Sequence, residues 1–176
     1  PARTEAVRLG KPPLWSLRGL ADAVVGPFVD FFGKHRGIGV VMLLMVALYR
    51  LPDFVMGPMY NPYYHDLGIA KDTVAWVRGS IGLLAKFLGI AAAGLSKVRV
   101  GLLPTLIGGL VLEGLGTAAF ALLSLNASTP VFASVMTLDF FAQAFAGVAL
   151  VTYMSSLTSL GYTATQYAML SSTYAL

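Results

Sequence analysis

Charged side chains set inside apolar stretches long enough to cross a lipid bilayer constrain this chain more than any other feature: Arg50, Asp53, Arg78, Lys86, Glu113 and Asp139. Hydrocarbon does not solvate ions, so such residues face a protein interior or a watery cavity and mark the route of a substrate or a proton. Transport is therefore the first expectation. A soluble domain is about a quarter charged, whereas this chain is 11% charged and 57% hydrophobic. So few charges do not keep 176 residues of this composition in water, and lipid is the expected solvent for most of them.

The same composition removes other classes. With no cysteine there is no disulfide, and with only His35 and His65, both expected in loops, no His/Cys metal cluster can form, so neither metal nor cofactor is expected. The net charge of +4 is not gathered into a basic stripe with interleaved aromatics, which argues against nucleic acid. No Ser/His/Asp set, phosphate-binding glycine loop or pair of catalytic carboxylates in loops is found, so an enzyme is not expected. Gly108-Gly109 and Gly114-Leu115-Gly116 fall inside crossings, where they suit helix packing.

Residues 1–36 read as a cytoplasmic linker. Leu17, Leu20, Ala21, Val24, Phe28 and Phe31 recur at three- and four-residue intervals, with Arg18, Asp22 and Asp30 elsewhere on the wheel. That pattern predicts an amphipathic helix, lying in the membrane interface or docked on protein. A hydrocarbon core of about 30 Å needs about 20 apolar residues, and the crossings are placed at Gly37 to Tyr60, Thr73 to Leu95, Gly101 to Leu125 and Val131 to Leu157. Pro52 is expected to kink the first near Leu48. Asn61 to Asp72 reads as a loop, Asp72 or Thr73 as a helix cap, Ser96 to Val100 as a short turn, and Asn126 to Pro130 as the third connection. A fifth helix opens near Thr163 or Thr165, and the chain as a whole, 37–176 being the bundle, reads as an internal piece of a larger membrane protein.

Lys and Arg in short loops favour the cytoplasmic side. Arg3, Arg8, Lys11, Arg18, Lys34 and Arg36 precede the first crossing and Lys97 and Arg99 follow the second, against Lys71 alone on the other side. The expected N-terminal end is cytoplasmic.

Each Asp, Lys or Arg at a helix centre costs about 2.5 to 3.5 kcal/mol on insertion scales, against about 0.3 to 0.6 gained per large aliphatic residue. Pairing or cavity water must lower that cost. Arg50 and Asp53, three apart, can pair on a face extended by Tyr49, Gly57 and Tyr60, as a titrating or substrate-binding pair or as a static lock between helices. Lys86, near the middle of its crossing, is too deep to snorkel, and Gly82, Gly89 and Ala93 on its face suggest an ammonium entering a helix–helix cleft; Arg78 is within snorkelling reach of the outer edge. Glu113 sits between Gly109 and Gly116, and Asp139 lines up with Gln143, Ala146 and Tyr153, each acid being either functional or held by a neighbouring helix. Burial favours a neutral carboxyl and a nearby cation favours the charged one, so a cation that moves between helices can switch a proton on and off.

The run from Tyr153 to Ser172, YMSSLTSLGYTATQYAMLSS, resembles a junction between the tenth and eleventh helices of AmpG-type muropeptide permeases in the major facilitator superfamily. Its distinctive residues are Tyr162, Thr163, Thr165, Gln166 and Tyr167. ALYRLPD at Ala47 to Asp53 is similar to that family's seventh helix, where LYKLGD is common, and GPFVDFF at Gly26 to Phe32 resembles the end of its central linker. Pro52, in place of the usual glycine, and Glu113, in place of an uncharged residue, depart from the pattern.

The resemblance implies an all-α polytopic membrane bundle, part of the C-terminal half of a major facilitator: the linker, helices seven to ten and the start of eleven. It also implies a multi-pass protein of the bacterial inner membrane that imports anhydro-muropeptides with protons for cell-wall recycling, together with an N-terminal bundle of the same protein. Tyr49 and Tyr153 then suit sugar, Arg50 or Lys86 a peptide carboxylate, and Arg78 and Gln143 the cavity wall. The alternatives are a related permease for acyl-coenzyme A or peptides, or a membrane scaffold whose charges only fix helix pairing. A transporter should bring Asp53, Lys86 and Asp139 to one polar cleft; a scaffold should pair its charges off.

Overall fold

A computed structural model describes residues 37–158 without interruption, together with residues 25, 29, 31–33, 167–168 and 171–172. Its helices are α1 (Ile38–Asp66), α2 (Lys71–Gly79), α3 (Ile81–Val100), α4 (Leu102–Ala119), α5 (Ala121–Leu125) and α6 (Thr129–Leu157). α2 with α3, and α4 with α5, each make one span, so among the described residues four stretches are long and apolar enough to cross a membrane. The fold is an all-α polytopic helical bundle.

The chain divides into two compact units, Leu48–Tyr153 and Pro1–Ala47 with Met154–Leu176. In the smaller unit Phe31 and Phe32 meet edge to face at 5.5 Å, and Gly39 lies so close that a Cβ there would be 3.0 Å from the Phe32 ring. Val25 and Val29 are helical and exposed. Leu17, Leu20, Ala21, Val24 and Phe28, on which the expected amphipathic helix rests, lie outside the described residues.

Within Leu48–Tyr153, α6 is the central element. Its most apolar stretch is 50% buried, against 17% for α1. Small residues let its neighbours approach: a Cβ at Gly82 of α3 would fall in the Phe140 ring, and one at Gly89 would fall on the Phe141 carbonyl and 3.0 Å from Ala144. On the α4 side, a Cβ at Gly109 would lie 3.1 Å from the Ala146 Cα and one at Gly116 would lie 3.3 Å from the Asp139 Cα. Two glycine seams, each with a seven-residue period, thus hold α3 and α4 against α6.

Several boundaries differ from expectation. α1 continues through Asn61 to Asp66, carrying Pro52, Pro58 and Pro62 inside the helix. Packing outweighs the three missing N–H donors, because Tyr60, Tyr63 and Tyr64 follow one another around a single buried face. Tyr60 meets Phe120 at 4.9 Å and Tyr64 meets Phe132 at 5.2 Å; the Tyr64 hydroxyl donates to Met136 Sδ at 3.2 Å. The helix ends at Gly68, φ +70, where the Ile69 N–H returns to the Tyr64 carbonyl at 3.0 Å in a Schellman-type closure.

The second span begins at Lys71, with Ala70 rather than Asp72 or Thr73 as the flanking cap, and Asp72 sits in the first turn, where its charge complements the dipole. Ser96 to Val100 is helix, not turn. The reversal is compressed into Gly101, whose φ of +92 and ψ of 176 suit glycine alone, and the Ser96 and Thr105 hydroxyls, 3.0 Å apart, close it from both sides.

The second span is interrupted, whereas the third stays in the helical region at its division, Phe120 having φ −61 and ψ −26. Ser80 separates α2 from α3 with φ −110 and ψ −85, and its hydroxyl donates to the Trp76 carbonyl at 2.6 Å. Phe120 separates α4 from α5, and its carbonyl accepts the Tyr63 hydroxyl at 2.9 Å.

Candidate functional site

α6 places Asp139, Phe140 and Gln143 between the two seams. Asp139 is 4% exposed and sits against Gly116 of α4. Gln143, one turn on, offers its Nε2 to Asp139 Oδ2 at 3.5 Å, a long and therefore weak bond. Phe140 fills the space left by the missing side chain of Gly82, and two cations flank its ring: Lys86 Nζ is 4.5 Å from the centroid and Arg78 Cζ is 6.0 Å. Asp139 interacts electrostatically with both.

Glu113 is the second buried acid of the bundle, 6% exposed, and its Oε2 has no hydrogen-bond partner among the described residues. Its electrostatic neighbours are Arg50 and Asp139. Arg50 forms an ion pair with Asp53 one turn along α1, both side chains remaining about a fifth to a quarter exposed. Arg78 and Lys86 thus act electrostatically on Asp139, Asp139 and Arg50 act on Glu113, and Arg50 is paired with Asp53.

The expected sites fall into three groups. Lys86, Arg78, Asp139 and Gln143 come together around Phe140; Arg50 and Asp53 pair as the spacing predicts; Glu113 lies between these groups. Lys86 does not enter the helix seam, which is made by Gly82, Ala85, Gly89 and Ala93, all buried, while Lys86 on the flank is exposed. Tyr49 is 2% exposed and donates its hydroxyl to the Leu106 carbonyl at 3.2 Å, so it braces α1 on α4 and has no open ring face in this conformation. Tyr153 is partly buried further along α6. Of the junction motif, Tyr162, Thr163, Thr165 and Gln166 lie outside the described residues, and Tyr167 is helical and partly buried.

A groove of about 520 Å³ between α3 and α6 is lined by Ile81, Ala85, Leu88, Thr137 and Phe141 among others, and by none of the charged residues. Asp53, Lys86 and Asp139 thus do not line that groove together. Sequence reasoning missed Phe140, which carries no polar mark, and the interruption at Ser80, for which the pair Gly79-Ser80 was the available signal.

The fold and its buried charges define the class: a multi-pass α-helical membrane protein with ionisable groups at bilayer depth. A transporter named AmpG 4 from Rickettsia felis is 36% identical over 159 residues, 88% of this chain and 37% of that protein. Its namesake from Rickettsia conorii is 34% identical over 166 residues, 92% of this chain and 39% of that protein. The anhydromuropeptide permease of Escherichia coli is 31% identical over 156 residues, 86% of this chain and 31% of that protein. The chain belongs to the AmpG-type permease family, and it spans 31% to 39% of the length of these relatives. No family model matches it, and no solved structure does.

Proposed function

We propose that this chain is part of a secondary active transporter that carries anhydro-muropeptides across the bacterial inner membrane into the cytoplasm, driven by protons. The observation that carries the reading is the incomplete pairing of its intramembrane charges. A scaffold would neutralise its ions in pairs, yet among the described residues Lys86 and Arg78 make neither a hydrogen bond nor an ion pair, and Glu113 Oε2 is buried without a partner. Charges left this way in a bundle require water, a ligand or a proton at some stage of a cycle.

In this proposal Asp53, Glu113 and Asp139 exchange protons while Arg50 serves the acids of α1 and α4 in turn. Tyr153 and Gln143 face the sugar-peptide cargo, and Tyr49 holds α1 to α4. The interruption of the second span at Ser80 suits a transport cycle, since broken helices in transporters gather at binding sites. The N-terminal end lies in the cytoplasm, following the eight Lys and Arg on that side against one on the other. The test is uptake of radiolabelled anhydro-muropeptide by vesicles containing the intact protein. Accumulation that requires an inward proton gradient and collapses with a protonophore supports the proposal; equal uptake with and without protein removes it.

A further inference from the structure

We propose that Arg78 and Lys86, both within cation–π distance of the Phe140 ring, form a recognition subsite for a carboxylate of the transported molecule, an inference that rests on the transporter reading above. Arg78, in the last turn of α2, and Lys86, one turn after Gly82 on α3, both reach the Phe140 ring, at 6.0 and 4.5 Å from its centroid. Gly82 brings the Phe140 ring so close that no side chain fits between. The ring is therefore fixed, 5% exposed, and the two head groups converge on it from the turns before and after.

The charge balance asks for an anion. A cation–π contact offsets only part of the cost of holding an ammonium or guanidinium away from bulk water. The acid that interacts with both cations is Asp139, one carboxylate against two positive charges, and it already accepts from Gln143. Lys86 and Arg78 are both exposed, so their donors remain open to an incoming group. Arg50, the other intramembrane arginine, is paired with Asp53 and is the weaker candidate.

The span is interrupted at Ser80, between Arg78 and Lys86, where the negative end of α2 meets the positive end of α3 and the two backbone dipoles oppose each other, so the side-chain cations supply the field. Asp139 works against the anion as a like charge. The subsite therefore carries a built-in sign test: removing either cation weakens acid binding, and removing the charge of Asp139 strengthens it.

The experiment measures equilibrium binding to the intact purified protein of two probes, an anhydro-muramyl peptide with free carboxylates and the same compound with its carboxylates converted to amides. The native protein should prefer the acid at least tenfold. Lys86→Met and Arg78→Met should each weaken acid binding by roughly 10- to 100-fold, the range for hydrogen bonds to charged groups, and leave amide binding unchanged. Lys86→Arg should retain acid binding, and Asp139→Asn should tighten it. Equal affinity of the native protein for both probes overturns the subsite and leaves the transporter reading standing. Binding of neither probe overturns both. Undiminished acid binding in Lys86→Met, with a lowered melting temperature in the absence of probe, overturns the subsite in favour of an internal ion pair.

Discussion

Tyr49 lies on Gly109: its hydroxyl occupies the place a Cβ would take on that glycine and donates to the Leu106 carbonyl, one turn earlier on α4, at 3.2 Å. One residue thus supplies both the spacing and the polar link between α1 and α4. Gly109→Ala should push the two helices apart and cost about 1 to 3 kcal/mol, the usual penalty of overpacking. Tyr49→Phe loses one buried hydrogen bond and should cost about 1 kcal/mol. Because the phenylalanine vacates the contested space, the double variant should be more stable than the sum of the singles implies. Thermal melts of all three in detergent check this; strict additivity would mean that the two residues do not meet.

Glu113 contributes differently. A buried carboxylate with an unpartnered oxygen is a liability for stability, whereas one clasped in an ion pair costs about 3 to 5 kcal/mol when its partnership is broken. The isosteric change Glu113→Gln should therefore leave the melting temperature unchanged or raise it. A fall of the size expected for a broken ion pair would show that Glu113 is a structural anchor.

At the turn between α3 and α4 the argument is one of backbone geometry. Gly101, at φ +92 and ψ 176, occupies a region that side-chain-bearing residues adopt only at a cost of about 1 to 3 kcal/mol. Nothing lies within 4 Å of a Cβ there, so Gly101→Ala isolates backbone strain from crowding. Its melting temperature should fall, while Gly94→Ala, equally uncrowded but inside α3, should raise stability by about 0.5 to 1 kcal/mol.

These contrasts show where sequence reading succeeds. Long apolar runs and the Arg50/Asp53 spacing follow from local rules, so the spans and that pair were legible. Asn61-Pro62 looked like a breaker because local propensity cannot register Tyr60, Tyr63 and Tyr64 packing on Phe120, Phe132 and Met136. Phe120, where α4 passes into α5, has no glycine or proline beside it, and the Tyr63 hydroxyl that donates to its carbonyl is 57 residues away. The glycines three and four residues from Lys86 point to a place in the helix seam, but Ala85 shifts the buried stripe by one position and leaves the lysine on the rim.

Two of the intramembrane acids give a test of coupling. Asp53 is partly exposed beside Arg50, and Asp139 is buried beside Gln143, so Asp53→Asn and Asp139→Asn change charge while keeping shape and some hydrogen-bonding capacity. Both variants of the intact protein should insert into the membrane at native levels, since neutralising Asp139 lowers the cost of insertion and an asparagine at position 53 keeps a carbonyl oxygen that accepts from the part-exposed Arg50. Gradient-driven uptake should be lost in both, because an asparagine carries no exchangeable proton charge. Asp139→Asn should nevertheless retain binding of an acidic muropeptide, which separates recognition from coupling. Measuring membrane levels by immunoblot, uptake in energised vesicles and binding in detergent on the same preparations distinguishes the two: native uptake by both variants would place the proton route elsewhere, and loss of insertion would mean that the acids serve the fold.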